Sequence, residues 1–381
     1  MILKTTSFLI AVIAQLWKCK GFLLFIGIIF GVLFAHDSGA SVCQGVYYPP
    51  PGKQSLSYQK KKAAVEVGLK TTTVSALKNA IKKGRWALWR EGYLVHVQAS
   101  AAFNTNTEIA SARKAFHAAT IGGLIQLGKI YSLSQKVSDW NAGNSGGPGN
   151  CHQNATLYDV MTRTTAYDDQ SKCPGEVWAY SDANPPMLNQ VAARAWRGAL
   201  STDFTSNYQE VIGGALLNPI GASGWYTTVK PDGIRLNMYL EDFGRFGLLM
   251  SKGGLWDGTR VIPEWFVYDQ TTKQTYSVAP NYDNWNDGDL SLTTEQFPES
   301  PYGFMTWVNT DRDLVPNIAS TWAYTEGAWG NFVIWDSQSG VVLAIQSSQY
   351  QFYPLDPVVP IRAVITVLQN SIAGPNPLLC F

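Results

Sequence analysis

The sequence predicts an α/β fold of the α+β kind: a mixed antiparallel sheet flanked by helices, with a helical lobe inserted into it. Three observations carry that prediction. Strand patterns stand near the start of the chain and again near its end, helix patterns fill the stretch between, and no internal repeat divides it. At 381 residues, 46% of them hydrophobic, the chain is long enough for a two-lobed domain with a substantial core.

Taken in order, the chain opens on a targeting segment over residues 1–40. Lys4, Lys18 and Lys20 flank apolar stretches, Gly21 to Ala35 is an unbroken apolar run, and Ser38-Gly39-Ala40 offers small residues for cleavage. Export to a secreted or periplasmic location is the favoured reading, and an uncleaved N-terminal membrane anchor is the alternative. The folded domain is then expected over residues 41–381, with the helical lobe near 110–235. Losing the leader removes Cys19 and leaves Cys43, Cys151, Cys173 and Cys380, an even number that suits disulfides in an exported chain. Their positions suggest Cys151 with Cys173 and Cys43 with Cys380.

Residues 41–70 are a lead-in of weak periodicity, after which Thr73 to Lys83 reads as a helix. Arg85 to Arg90 and Tyr93 to Gln98 read as paired strands around Glu91-Gly92. Phe116, Ala119, Ile121, Leu124, Ile125 and Leu127 fall on helical spacing closed by Gly128. Gly143 to Gly149 is a loop, Leu157 to Thr165 a helix, and Met187 to Ala199 a helix with Leu188, Val191, Ala192 and Ala195 on one side. Leu240 to Lys252 is another, ending at Gly253-Gly254, and Pro263 opens the next. A polar, acidic loop spans Tyr276 to Ser300. Strands follow at Gly303 to Val308, Thr321 to Thr325, Asn331 to Trp335 and Gly340 to Gln346, and Val359 to Leu368 is a closing helix.

Composition narrows the partners. A formal charge of +1 lends no support to nucleic acid or an anionic surface, so membrane contact is expected only through the N-terminal segment. The 14 Trp and 18 Tyr suit an aromatic-rich globule with ring-lined pockets. The four His are scattered and join no Cys or acidic cluster, so no metal and no cofactor is expected.

The chemistry concentrates at Glu108-Ile109-Ala110-Ser111-Ala112-Arg113-Lys114, a strand-like approach turning into a helix. Ser111 and Lys114 are three apart and share a helix face, so hydroxyl and amine can meet. A serine becomes nucleophilic when a base takes its proton, and a desolvated lysine can be that base. The same pattern occurs at Ser57/Lys60, before a solvated Lys60-Lys61-Lys62 run, and at Ser75/Lys78, in a short amphipathic stretch. Only Ser111 opens an apolar helix, at the seam where pockets form.

These residues, with Leu157-Tyr158-Asp159-Val160-Met161-Thr162, Tyr180-Ser181-Asp182-Ala183-Asn184, Glu241-Asp242-Phe243-Gly244-Arg245-Phe246-Gly247 through Val261-Ile262-Pro263-Glu264-Trp265, Pro301-Tyr302-Gly303-Phe304 and Glu326-Gly327-Ala328-Trp329-Gly330-Asn331, resemble the serine β-lactamase-like hydrolases. That family takes in class C β-lactamases, D-alanyl-D-alanine carboxypeptidases, related esterases and 6-aminohexanoate-dimer hydrolases. The resemblance covers roughly residues 75–370 and implies a β-lactamase/transpeptidase-like fold. It implies Ser111 as nucleophile, with Lys114 and the tyrosine of a Tyr-x-Asn element moving protons. Tyr180-Ser181-Asp182 fits that element by its place before the Met187 helix, with Asp182 where the family has Asn. Tyr282-Asp283-Asn284 is a literal match in the wrong order. In place of the family's Lys-Thr-Gly or His-x-Gly stands Thr325-Glu326-Gly327, so the cation that attracts substrate carboxylates is missing. The resemblance further implies that the Ala328 and Ser111 amides hold an oxyanion and that Gly327 permits close backbone approach; Trp329, Trp178 and Tyr324 are candidates to line an acyl pocket, packed core being the more common place for such rings.

The expected activity is hydrolysis of a small-molecule ester or amide through a Ser111 acyl-enzyme. The alternatives are an idle binding or scaffold protein on the same fold, and a peptidoglycan-directed carboxypeptidase or β-lactamase.

Overall fold

Glu91 and Gly92 both take positive φ, 52° and 80°, the two-residue turn whose twist matches a hairpin. That turn joins strands β1 (Arg85–Arg90) and β2 (Tyr93–Gln98), which follow helix α1 (Thr73–Ala80), all three close to their expected bounds. The computed structural model falls into two units, residues 1–43 and 44–381. It describes residues 45–379 except 53–55, 83, 99–104, 143–149, 168–170, 181–183, 198–203, 231–232, 277, 282–300 and 348–360. The expected leader, the Cys43–Cys380 pairing, the Gly143–Gly149 loop and most of the acidic loop therefore lie outside the described residues.

The chain continues with β3 (Thr107–Glu108), α2 (Arg113–Gln126), α3 (Leu157–Thr162), β4 (Val177–Ala179), α4 (Asn184–Arg197) and α5 (Phe204–Ile212). A hairpin of β5 (Trp225–Lys230) and β6 (Gly233–Met238) leads to α6 (Leu240–Ser251), a small pair β7 (Leu255–Trp256) and β8 (Thr259–Arg260), α7 (Glu264–Thr271) and β9 (Ala279–Asn281). The last elements are β10 (Trp307–Val308), β11 (Trp322–Gly327), β12 (Asn331–Asp336), β13 (Val341–Gln346) and α8 (Ile361–Ser371).

The main sheet runs β10-β11-β12-β13-β1-β2, and every neighbouring pair is antiparallel. Its two halves come from opposite ends of the chain, with helices of the middle stretch lying over it. α6 packs on β12, β13 and β1, and α8 packs on α1 through Ile361, Val364, Ile365 and Leu368, a helical i, i+3, i+4, i+7 face. Phe116 of α2 stacks on Phe246 of α6 with ring centroids 3.8 Å apart, so the serine helix and the sheet-covering helix share one core.

Two expected elements are shorter than their sequence patterns. The helix at Leu157 begins where Thr156 and Asp159 cap each other and stops at Thr162. Arg163 there turns left-handed (φ 64°) and its segment closes on the Asp159 and Val160 carbonyls. The Gly303–Val308 strand contracts to Trp307–Val308 because Met305 also has positive φ (49°) and the Gly303 amide bonds the Thr306 carbonyl.

A buried ionic cluster fastens the lead-in to the core. Arg245 (2% exposed) bonds the Glu241 carboxylate at 2.6 Å and donates to the Pro49, Pro50 and Ile220 carbonyls. Gln59 donates to the same carboxylate at 2.9 Å, and Asp242 accepts the Gly224 amide at 2.7 Å. Burial pushes the Glu241 carboxyl up to about 7 and that of Asp242 up to about 6, against the pull of Arg245.

Cys151 and Cys173 form the expected disulfide, 22 residues apart in sequence. Closing a loop of that length restricts the unfolded chain by about 3 kcal/mol. Replacing both cysteines by alanine is expected to lower stability by that amount in a denaturant titration, while an unchanged midpoint would remove the bridge from the stability of this segment.

Candidate active site

Strand β3 delivers the nucleophile candidate. Thr107 and Glu108 pair with Met238 and Asn237 of β6, and the Ile109 amide bonds the Leu236 carbonyl at 3.1 Å. Ala110 then takes φ 47°, a conformation an alanine adopts only under constraint, and a short 3₁₀ turn over Ala110–Ala112 feeds into α2. Ser111 sits in that turn, half-buried, while Lys114 one turn on is 1% exposed. The Lys114 amine donates to Ser111 Oγ at 3.0 Å. The rival serines stand otherwise: Ser57 and Ser75 are both exposed, and the Ser75 hydroxyl bonds the Thr72 carbonyl inside its own helix start.

Tyr180 follows β4 and brings its ring to the same lysine, with Lys114 Nζ 4.1 Å from the ring centroid. The ring is half-buried in an aromatic group: it stacks on Trp307 at 6.0 Å and meets Trp178 and Tyr302 edgewise or tilted at 6.4 Å each. Hydroxyl, amine and phenol ring thus converge from α2 and from the end of β4. Asp182 and the rival Tyr282-Asp283-Asn284 lie outside the described residues.

The third wall is the end of β11. A Cβ on Gly327 would stand 2.1 Å from the Ile109 carbonyl oxygen and 2.9 Å from the Ala112 amide nitrogen, so only glycine lets this strand touch the serine turn. Thr325 fastens the contact by donating its hydroxyl to the Ala112 carbonyl at 2.8 Å. Beyond Gly327, Ala328 is exposed and Trp329 is half-buried with φ 70°. Trp178 and Tyr324 do not form an open wall: they are 0% and 1% exposed, packed in the core, Trp178 against the Tyr180 ring and Tyr324 against Trp307. Gly327→Ala is expected to lower any turnover by about 10²-fold, because displacement of about an ångström at a catalytic centre has that cost. Steady-state rates of the folded variant check this, and an unchanged rate would show that the strand end does not set the site.

Behind Lys114, a further turn along α2, His117 bonds the Tyr208 hydroxyl in full burial. Burial, aided by the Arg113 and Lys114 charges, holds the His117 imidazole well below its ordinary value, so it stays neutral behind the lysine. Burial likewise holds the Tyr208 phenol up.

One site residue was not foreseen from sequence. The Arg163 guanidinium carbon lies 4.0 Å from the Tyr180 ring centroid, and Arg163 Nε donates to the Tyr302 hydroxyl at 3.2 Å. The available signal was a single charge within Met161-Thr162-Arg163-Thr164-Thr165, a stretch that is otherwise apolar or hydroxylic. Among the described residues no cluster of three or more His, Cys, Asp or Glu side chains is placed to hold a metal ion, and no helix is long and apolar enough to cross a membrane.

No protein-family model matches the sequence, and comparison with curated proteins gives no match. Solved structures do match. A candidate β-lactamase from Bacteroides dorei superposes with a TM-score of 0.60 at 16% identity, over 80% of this chain and 100% of its own. A candidate 6-aminohexanoate-dimer hydrolase from Bacillus anthracis gives 0.57 at 15% identity, over 87% and 88%. A family VIII carboxylesterase gives 0.56 at 14% identity, over 81% and 98%. At these identities the agreement is one of architecture, and its conclusion is that this chain has the β-lactamase-like fold.

Proposed function

We propose that the protein is an exported serine hydrolase that cleaves a small ester or amide through an acyl-enzyme on Ser111. The observation that carries the reading is the convergence at Lys114 Nζ, 3.0 Å from the Ser111 hydroxyl and 4.1 Å from the Tyr180 ring centroid. Ser111 Oγ attacks the substrate carbonyl as its proton passes to the Lys114/Tyr180 pair. The Ser111 and Ala328 amides take up the charge on the carbonyl oxygen. Collapse of the tetrahedral intermediate breaks the bond to the alcohol or amine, which leaves with the proton that the pair returns. Water then attacks the ester on Ser111, its proton passes back through the same pair, and the acid is released.

The nature of the third wall favours neutral acyl groups. β11 offers a threonine whose hydroxyl is turned to the Ala112 carbonyl, and so brings no cation to meet a substrate carboxylate. The architecture shared with a carboxylesterase and a candidate 6-aminohexanoate-dimer hydrolase agrees with ester or amide chemistry. The Cys151–Cys173 disulfide suits the oxidising side of a membrane, as the apolar leader does.

The test is hydrolysis of p-nitrophenyl acetate and butyrate beside nitrocefin, a carboxylated β-lactam, with native protein and Ser111→Ala. Ester turnover well above the variant's background, and exceeding nitrocefin turnover, is expected. Ester rates no higher than those of Ser111→Ala would overturn the proposal in favour of a catalytically idle protein.

A further inference from the structure

We infer that Arg163 is a positioning residue that lowers the pKa of the Tyr180 phenol, supplying the site with a second buried cation from an element that carries no part of the nucleophile motif. The inference rests on the reading of Tyr180 as a proton-transfer group.

The placement of Arg163 is built at three levels. Its backbone takes the left-handed conformation (φ 64°) at the end of α3, which a non-glycine residue holds only when its surroundings impose it. Its carbonyl accepts the Ala179 amide at 3.1 Å, so the residue immediately before Tyr180 is hydrogen-bonded to it directly. Its side chain, 1% exposed, lies with the guanidinium carbon 4.0 Å from the Tyr180 centroid and is steadied by the hydrogen bond from Nε to Tyr302. Burial holds the Tyr302 phenol above its ordinary value despite the pull of Arg163, so Tyr302 remains neutral and acts as an anchor.

Among the described residues, the Tyr180 ring meets Lys114 from α2, Arg163 after α3, Trp178 on β4, Tyr302, and Trp307 on β10. Glu326 on β11 is, among the described residues, an acidic group felt at Tyr302. Two cations within about 4 Å of one phenol ring favour its anion, and an opposite charge at 4–6 Å moves a pKa by about one to three units. The ring contact is itself stabilising, since the face of a neutral tyrosine attracts a cation. Placing the charge on Arg163 also keeps it always protonated, whereas a lysine in the same burial can lose its proton. The phenolate is thereby available to take the Ser111 proton even while Lys114 is an ammonium donating to Ser111 Oγ.

The experiment is direct titration of Tyr180 in protein carrying [13Cζ]-tyrosine, its NMR signal assigned by loss in Tyr180→Phe. In native protein the phenol is expected to titrate below the ordinary value of about 10. In Arg163→Gln and Arg163→Met, made in parallel so that one neutral variant keeps the fold, it is expected to rise by about one unit or more. The acidic limb of kcat/KM for p-nitrophenyl acetate should rise with it, giving about a tenfold loss near neutrality that higher pH restores. A native Tyr180 pKa at or above 10, or one that moves by less than about 0.3 units in a folded neutral variant, would overturn the inference. Full ester turnover by Tyr180→Phe would instead sink the proton-transfer reading and leave the titration result standing on its own.

Discussion

Ser111→Ala is expected to lower kcat/KM for p-nitrophenyl esters by roughly 10⁴-fold or more, with Lys114→Met costing a similar factor and the double variant little more than either single one. The non-additivity follows from the geometry. The amine donates to the Ser111 hydroxyl at 3.0 Å and acts on the reaction through it, so once that hydroxyl is gone, losing the amine removes little further. Lys114 is a buried residue of α2, 1% exposed, and an unbranched methionine fills nearly the same space, so the comparison reads chemistry more than folding. Additive losses would mean that the two side chains act in separate steps or on separate substrates. Equal rates for native and Ser111→Ala protein would remove this serine altogether.

Arg245→Met is expected to have the largest effect on stability, about 3–5 kcal/mol at pH 8, because it strands two carboxylates that share one buried cation. Glu241 and Asp242 are 1% and 0% exposed and lie within ion-pair distance of it, at 2.6 and 3.8 Å. Glu241 titrates in the native protein near 7, well above its value in the unfolded chain. Between those values the native state binds the extra proton, so the protonated form's contribution is complete at low pH and is lost as pH rises through about 7. Losing Arg245 removes the influence that pulled both groups down, so the variant should recover much of its stability near pH 5. Thermal melts at pH 5 and pH 8 decide it. A loss of equal size at both values would show that the cluster matters for packing and not for charge. The same cluster anchors the Pro49 and Pro50 carbonyls, so exchange of the flanking Tyr47 and Gly52 amides, which bond the Glu91 and Gly221 carbonyls, should quicken in the variant.

How much of this was visible beforehand depended on how local each signal was. The β1–β2 hairpin and α6 were legible nearly to the residue, since each combines an apolar pattern with its own stop, Glu91-Gly92 in one case and Gly253-Gly254 in the other. The β5–β6 hairpin, α5 and three-residue β4 went unread. β4 exists because Val177–Ala179 finds β9 a hundred residues later, a pairing that no window of sequence contains. Similarly, Gly303 and Phe304 have strand-like neighbours yet turn back, and only the Met305 backbone reveals why. In the candidate site, the Ser111/Lys114 spacing was shared with Ser57/Lys60 and Ser75/Lys78, and the apolar helix that follows Lys114, together with the family-like phrases, singled it out. Tyr180 needed the order of several family-like phrases. Arg163 was out of reach, because its meaning lies in a contact with a ring seventeen positions on and in a backbone conformation that sequence does not announce. Trp178 and Tyr324, readable from sequence as acyl-pocket walls or as packed core, are packed core, a choice sequence leaves open because a ring looks the same whether it faces a cleft or the core.

The most direct measurement of the central claim is labelling of the native protein with a fluorophosphonate probe, followed by peptide mapping of the adduct. One label per chain, carried by Ser111 in the peptide that contains Lys114 and lost in Lys114→Met, is the predicted result. No label on native protein, or a label on Ser57, Ser75 or any other residue with Ser111 unmodified, would contradict it.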